Sequence, residues 1–310
     1  SPLNDMLLFF RYYQLLRREK PSVLLSYTIK PNIYGALAAR IVGIPVIANV
    51  SGLGTAFIHE SWLTRVVCLL YRVAFRHVAC VFFQNPEDRR LFIARRLVAA
   101  ERAHVLPGSG VDLDYFSPRP SLRHAQEPFA FVLIARLLWD KGIGEYVAAA
   151  RRVKATHPGT RFRLVGPRAV RNQTAITDAQ IDAWVAEGVI DYLGEIEDVR
   201  DVLAAHDCVV LPSYREGMSR VLIEAAAMGK PIIATDVVGC HHVVDHEKNG
   251  LVCRVRDAAH LAETMERFLA LAPEQRTQMG IESRAKAVRE FDEAQVFSAY
   301  LSQMALLTTV

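Results

Sequence analysis

Tyr214-Arg-Glu-Gly-Met-Ser-Arg-Val-Leu-Ile-Glu224 is the stretch on which the reading of this chain turns. It sets Glu216 and Glu224 apart with seven residues between them, on a loop that runs into a helix. The N–H groups at a helix start have no intrahelical acceptors and carry partial positive charge, so they can receive a phosphate. Gly217 has no Cβ and lets a ligand approach its backbone. Ser219 suits the N-cap. Gly229 closes the helix, and Pro231-Ile-Ile-Ala-Thr-Asp236 reads as the next strand.

Outward from this stretch, strands and helices alternate along the whole chain. In the first part the pattern predicts a helix over 5–19 and strands over 22–26, 45–49 and 78–84. Helices are predicted over 33–42, 62–76 and 86–99. A Pro- and Arg-rich run at 117–126 reads as a linker. From Phe129 the alternation restarts and continues to a closing helix near 293–306. Strand, helix, strand in such short order calls for parallel sheets. The expected fold class is therefore α/β, with two facing doubly wound domains over 1–120 and 121–292. Similarity to two-domain proteins of this build implies a first domain incomplete at its start and completed by the closing helix. No G-x-G-x-x-G follows a first strand, so a dehydrogenase is not indicated.

The bulk properties exclude several classes. With 51% hydrophobic and 23% charged residues, the chain has a globular composition, and no apolar run reaches the length of a membrane span. Five scattered cysteines (Cys68, Cys80, Cys208, Cys240 and Cys253) lack the close spacing of zinc ligands and read as reduced thiols. His241 and His242 are adjacent and so project differently, and the sequence places no carboxylate partner beside them; no metal site is expected. Charge is uneven: 15 Lys+Arg against 8 Asp+Glu over residues 1–120, leaving 22 against 25 over the rest. A basic first third suits an anionic partner such as a membrane surface or a diphosphate lipid; chance surface charge is the plain alternative. Nucleic acid is not expected.

Together with its flanks Pro212-Ser-Tyr-Arg215, Ala225-Ala-Ala-Met-Gly-Lys-Pro231 and Ala234-Thr-Asp236, the opening stretch resembles the E-x7-E signature of retaining glycosyltransferases with the GT-B fold, most closely family 4. The resemblance implies that Glu216 contacts the transferred sugar and Glu224 the ribose hydroxyls. Gly217, Met218 and Ser219 would then lie against the donor. Ala135-Arg-Leu-Leu-Trp-Asp-Lys-Gly142 is similar to the family's "GRL…KG" loop, with Ala135 where Gly is usual. That implies Arg136 and Lys141 hold the donor diphosphate and stabilise it as a leaving group. Gly166 and Gly194, at two strand ends, match positions beside the base and ribose. They are equally explained as turn glycines.

On the acceptor side, Ser26-Tyr-Thr-Ile-Lys-Pro-Asn32 and Gly43–Phe57 look like the subgroup acting on polyprenyl-diphosphate-linked sugars in surface-polysaccharide assembly. This implies acceptor roles for Lys30, Ser51, Gly52 and Gly54, a nucleotide-sugar (by family habit UDP) donor, and no catalytic metal or other cofactor. It implies a place in the cytoplasm at the inner face of the plasma membrane. The helix 62–76 carries Arg65, Arg72 and Arg76 on one side with Leu63, Val66, Val67 and Leu70 opposite, which suits either a bilayer surface or a core-packed helix with a solvated face.

Several features depart from the family pattern. Val238 and His242 stand where many relatives carry Pro and an acid. Residues 1–58 hold no His for the loop where some members use one. No Gly-rich loop after an opening strand is present, which points to an N-terminally truncated enzyme that binds a nucleotide sugar through 127–291 but transfers poorly. The alternatives are a nucleotide-sugar-binding partner with little or no activity, a related transferase on a soluble acceptor, and, less favoured, a nucleotide-sugar epimerase.

Overall fold

The computed structural model describes residues 2–53, 62–120 and 127–308. Gly54 and the loop through Thr55 therefore lie outside the described residues. The chain divides into two compact units: Ser1–Ser109 with Ala294–Val310, and Gly110–Glu293.

Unit 1 runs α1 (Pro2–Glu19), β1 (Leu24–Tyr27), a π-helical turn at Pro31–Gly35, α2 (Ala36–Val42), β2 (Val46–Val50), α3 (Trp62–Phe75), β3 (Cys80–Phe83), α4 (Pro86–Ala94) and β4 (Ala103–Val105). Its sheet is parallel, in the order β1-β2-β3-β4. The strands carry apolar residues on both faces, as parallel strands covered on both sides must. Val46, Ala48, Val81 and Phe83 turn toward one cluster, which includes residues of α2, α3 and α4. Ile47, Cys80 and Phe82 turn to the other face, where they meet Val296 and Tyr300 of the last helix, α11 below. Gly43, at φ 81, ends α2 in the left-handed conformation, and Asn85 caps α4 by accepting the Asp88 N–H at 2.7 Å. α4 stops at Ala94 rather than near 99, because Arg96 takes a left-handed φ of 53.

Unit 2 comprises β5 (Ala130–Ile134), α5 (Ile143–Thr156), β6 (Arg161–Val165), α6 (Asp178–Ala186), β7 (Asp191–Tyr192) and α7 (Arg200–Ala204). It continues with β8 (Cys208–Leu211), α8 (Arg220–Ala227), β9 (Ile232–Thr235), β10 (Gly250–Cys253), α9 (Ala258–Ala270) and α10 (Pro273–Glu290). α11 (Glu293–Thr308) leads back to unit 1. The sheet order is β10-β9-β8-β5-β6-β7, all parallel. Winding proceeds one way from β5 through β6 to β7 and the other way through β8, β9 and β10. The topological switch therefore falls between β5 and β8, and such sheets bind ligands in the crevice outside the carboxyl ends of the strands there. Strand alternation builds a core on each face: Phe131 and Leu133 on one, Val132 and Ile134 on the other.

The unit boundary lies earlier than the sequence placed it. Residues 110–120 belong to unit 2: Val111 bridges Asp292, Phe116 joins the unit 2 core, and Arg284 donates to the carbonyls of Leu113 and Phe116. All five cysteines are free, four of them buried. Among the described residues no helix is long and apolar enough to cross a membrane.

Candidate functional site

The loops leaving β5 and β8 meet at the switch point. Lys141, at the end of the β5 loop, donates from Nζ to Glu216 Oε1 at 2.5 Å. Both side chains are largely shielded, 19% and 13% exposed. Gly142, the next residue, is at φ 71, and a Cβ there would stand 2.0 Å from the carbonyl oxygen of Pro212 in the β8 loop. Only glycine permits so close an approach in that conformation. Tyr214 N–H donates to the Asp140 carbonyl at 2.9 Å, and the Tyr214 hydroxyl donates to Glu145 on α5 at 2.7 Å. The Arg256 guanidinium lies 4.5 Å from the Tyr214 ring centre. Burial, and then the hydrogen bond with Glu145, pushes the Tyr214 phenol well above its ordinary value. Backbone and side-chain bonds thus tie the two loops together beneath the Lys141–Glu216 pair.

Arg136 stands on the same loop as Lys141 but is exposed, and among the described residues its guanidinium takes no partner. Glu224 lies one turn into α8 and is 8% exposed, so it is not the solvated helix residue it would be as an ordinary surface glutamate. Burial raises its pKa, while a hydrogen bond from Arg220 Nε at 2.8 Å opposes the rise. Glu224 and Arg220 help to line a cleft of about 470 Å³ with Tyr115, Glu197 and Asp198, of the size that small-molecule sites occupy. Arg200 covers the Tyr115 ring and holds the Asp198 carboxyl down at about 2.

The motif loop is braced from behind by the turn after β9, which the sequence marked only for its departures at Val238 and His242. The Glu216 N–H donates to the Val238 carbonyl at 3.0 Å and the Ser219 N–H to the Gly239 carbonyl at 3.1 Å. Gly239 is left-handed at φ 82, and a Cβ on it would sit 2.7 Å from the Glu216 backbone. Ser219 occupies the N-cap position of α8, but its side chain makes no capping hydrogen bond. The amides of Glu216 and Ser219 are engaged, while the first turn of α8, from Arg220 onward, presents N–H groups with no intrahelical acceptor. Gly217 and Met218 lie between these two braces, Met218 against the unit 2 core.

Gly166 and Gly194 are brought together: the Gly166 N–H donates to the Gly194 carbonyl at 2.9 Å. Their reasons for being glycine differ. A Cβ on Gly166 would strike the Ala135 carbonyl oxygen at 1.9 Å, whereas one on Gly194 would meet open space. Gly166 is thus required by packing, and Gly194 by its φ of 84.

In unit 1, Lys30 follows β1 and Ser51 follows β2, adjacent parallel strands in register from Leu24↔Val46 to Tyr27↔Asn49. Lys30 Nζ pairs with Asp5 Oδ1 at 2.7 Å, an exposed contact that raises the lysine pKa and lowers that of Asp5. Gly52 is at φ 144. Beneath these ends runs a buried polar chain. Ser26 donates to Asn32, the Asn32 amide to the Asn49 carbonyl, and the Asn49 amide to the Tyr300 hydroxyl. Sequence reasoning placed no carboxylate beside His241; Asp236, five residues earlier at the end of β9, lies 3.1 Å from its Nδ1.

A larger cavity, about 1030 Å³, opens where Phe129, Asp207 and Pro231 precede β5, β8 and β9. That is the amino end of the sheet, away from the switch-point crevice. Its cations serve structural ends: Lys230 holds the carbonyls of Ala204 and His206, and Arg284 those of Phe116 and Ala227.

Comparison with known proteins agrees with this architecture. Residues 1–108 match the family described as a glycosyl transferase 4-like domain, and residues 128–270 that described as glycosyl transferases group 1. The chain is 28% identical over 308 residues to the N,N'-diacetylbacillosaminyl-diphospho-undecaprenol alpha-1,3-N-acetylgalactosaminyltransferase of Campylobacter jejuni, covering 94% of this chain and 79% of that protein. It is also 28% identical over 272 residues to the UDP-Gal:alpha-D-GlcNAc-diphosphoundecaprenol alpha-1,3-galactosyltransferase of Escherichia coli, covering 83% and 68%. Among solved structures, sucrose-phosphate synthase from Thermosynechococcus elongatus superimposes with a TM-score of 0.82 at 21% identity, covering 96% of this chain and 78% of that one. Anabaena HepE in complex with UDP-glucose gives 0.82 at 23% identity, covering 95% and 82%. The two domain matches in tandem, the GT-B likeness and the E-x7-E loop at the switch point agree: the chain is a glycosyltransferase and belongs to the group 1, family 4-like glycosyltransferases of the GT-B fold.

Proposed function

We propose that unit 2 binds a nucleotide-sugar donor and that the enzyme transfers the sugar, with retention of its anomeric configuration, to a polyprenyl-diphosphate-linked saccharide received by unit 1 at the inner face of the membrane. The observation that carries this reading is the contact of Lys141 with Glu216 at the β5–β8 switch point. One cation and one carboxylate stand where a diphosphate and its attached sugar must meet. Arg136, which takes no partner among the described residues, adds a cation on the same loop, and the first turn of α8 adds N–H donors.

In this reading Lys141 leaves Glu216 for the diphosphate as the donor enters, and Glu216 turns its acceptor oxygens to the sugar hydroxyls. Glu224 receives the ribose hydroxyls at the cleft it lines. As the bond from sugar to diphosphate breaks, charge grows on the leaving oxygens, and fixed cations stabilise that state more than the ground state. The attacking acceptor hydroxyl comes from the same face, its proton passing to the departing diphosphate, so no side chain serves as nucleophile. The two cations do the charge-neutralising work, and the reading needs no metal ion. UDP is the donor nucleotide proposed, supported by the name of the Escherichia coli relative.

The test is incubation with UDP-sugars and an undecaprenyl-diphosphate-linked N-acetylhexosamine in the presence of a chelator. UDP release coupled to an α-linked product from an α-linked donor is the expected result. An inverted linkage, or turnover abolished by the chelator, would overturn the mechanism. Nucleotide binding without turnover on any acceptor would favour a binding partner instead.

A further inference from the structure

We propose that Arg220 is a positioning residue for the donor: it holds Glu224 as an oriented carboxylate, so that Glu224 can accept hydrogen bonds from the ribose hydroxyls. The inference deepens the proposed function and rests on it for the ribose as ligand.

The geometry of the pair is asymmetric. Arg220 and Glu224 sit one turn apart on α8, with Nε 2.8 Å from Oε1. The glutamate side chain is 11% exposed and the arginine 73%. The carboxyl group is therefore inside, and its counter-charge reaches it from the solvent side. Ribose hydroxyls need an acceptor, and a carboxylate offers about four lone-pair sites. One bond from Arg220 leaves the others for a ligand. A protonated Glu224 would become a donor at one oxygen and lose part of that capacity.

The surroundings favour the protonated form. The cleft wall adds Asp112, Tyr115, Glu197, Asp198 and Glu293, so Arg220 is its one cation among the described residues. Nearby cations serve other groups. Arg200 pairs with Asp198 and covers Tyr115, and Arg119 pairs with Asp201. On α10, which packs against α8, Arg284 donates to the carbonyls of Leu113, Phe116 and Ala227, and Lys286 donates to Asp245. β8 and β9 carry no charged residue. Burial raises the Glu224 pKa, and the hydrogen bond and charge of Arg220 oppose the rise.

Local helix energetics do not explain the arginine. Arg220 opens α8, where the helix dipole disfavours a cation. A base four residues before an acid is also the weaker order for such a pair. A residue that runs against two local rules is accounted for by the site it serves.

The experiment measures binding of UDP and of uridine to the full chain at pH 6 and pH 8. Each value is taken as a ratio to wild type at the same pH, so that the ligand's own ionisation cancels. Arg220→Met should weaken both ligands about fivefold or more at pH 6 and less than about twofold at pH 8. Arg220→Lys keeps a cation and should stay within about threefold of wild type at pH 6. In a Glu224→Gln background, Arg220→Met should change binding by no more than about twofold at either pH. A loss for UDP alone would make Arg220 a phosphate ligand and overturn the proposal. An equal loss at both pH values, or one undiminished in the Glu224→Gln background, would overturn it too, since a packing role alone gives that result. Urea unfolding without ligand decides the charge half separately. The folded pKa of Glu224 lies above its unfolded value, and should lie further above it without Arg220. Arg220→Met should therefore match wild-type stability in acid and fall below it as pH rises; parallel curves overturn the proposal. Absence of any wild-type binding would refute the donor reading and with it the ribose role, while the unfolding curves still decide whether Arg220 holds the charge.

Discussion

Replacing Lys141 by Met keeps the length of the side chain and removes its charge. Two losses follow, and they separate in a double-mutant cycle. In the unliganded protein the Lys141–Glu216 pair spans 2.5 Å with both groups under a fifth exposed, so it is screened far less than a surface pair. Removing the lysine leaves Glu216 part-buried without its donor, a cost of about 1–3 kcal/mol. Adding Glu216→Gln removes the stranded charge and should recover most of that stability. The functional loss is different. If Lys141 grips the departing diphosphate, its charge-assisted hydrogen bond contributes about 1.5–3 kcal/mol, or roughly 10- to 150-fold in kcat/KM. The double variant should not recover that activity. The assays are urea unfolding for stability and UDP release for turnover, on wild type, both single variants and the double. A Lys141→Met enzyme that keeps kcat/KM within about twofold of wild type, or a double variant that regains both stability and turnover, would refute the reasoning.

Arg136→Ala should leave stability within about 0.5 kcal/mol, since the exposed guanidinium has no partner among the described residues, while weakening UDP binding about tenfold or more; calorimetric titration reads the second and thermal unfolding the first. Gly239→Ala should lower stability by at least about 1–2 kcal/mol from left-handed strain alone and lower kcat/KM besides, because its Cβ would displace the Glu216 backbone; an unchanged kcat/KM would refute the bracing role. Glu224→Gln should act oppositely on stability and binding. Burial raises the carboxyl pKa in the folded state, so native Glu224 costs stability as pH rises through that folded value, and the cost is absent below the unfolded pKa. The variant should be more stable than wild type at neutral pH, with the gap closing in acid, yet bind UDP about tenfold or more weakly; urea unfolding across pH and a UDP titration check the two halves.

The α/β alternation was legible because parallel strands buried on both faces read as short apolar runs, and those runs place β1, β2, β3 and β9 within a residue or two. The site was legible where chemistry and spacing coincide. Arg136 and Lys141 follow β5, Glu216 follows β8, and the sheet order sets those two strands side by side. Strand order itself is a long-range property that local periodicity does not carry, so the Lys141–Glu216 contact was not readable from the chain. Gly239 had only a weak signal, a glycine four residues beyond the end of β9, because its need arises from a backbone approach across two loops. The Arg220–Glu224 pair was readable in principle from its i,i+4 spacing. The boundary was misplaced because residues 110–120 look like linker by composition, while Val111 and Phe116 within them pack into unit 2.

The central claim is that the loops after β5, β6, β7 and β8 converge on one nucleoside diphosphate, the β5 loop on its phosphates. Amide hydrogen exchange of the chain with and without saturating UDP tests it most directly. The account predicts slowed exchange confined to residues 135–142, 166–167, 193–199 and 214–224, with the effect at 135–142 lost in Lys141→Met. Protection concentrated instead around the cavity at Arg276 and Lys230, or none at all under saturating nucleotide, would contradict it.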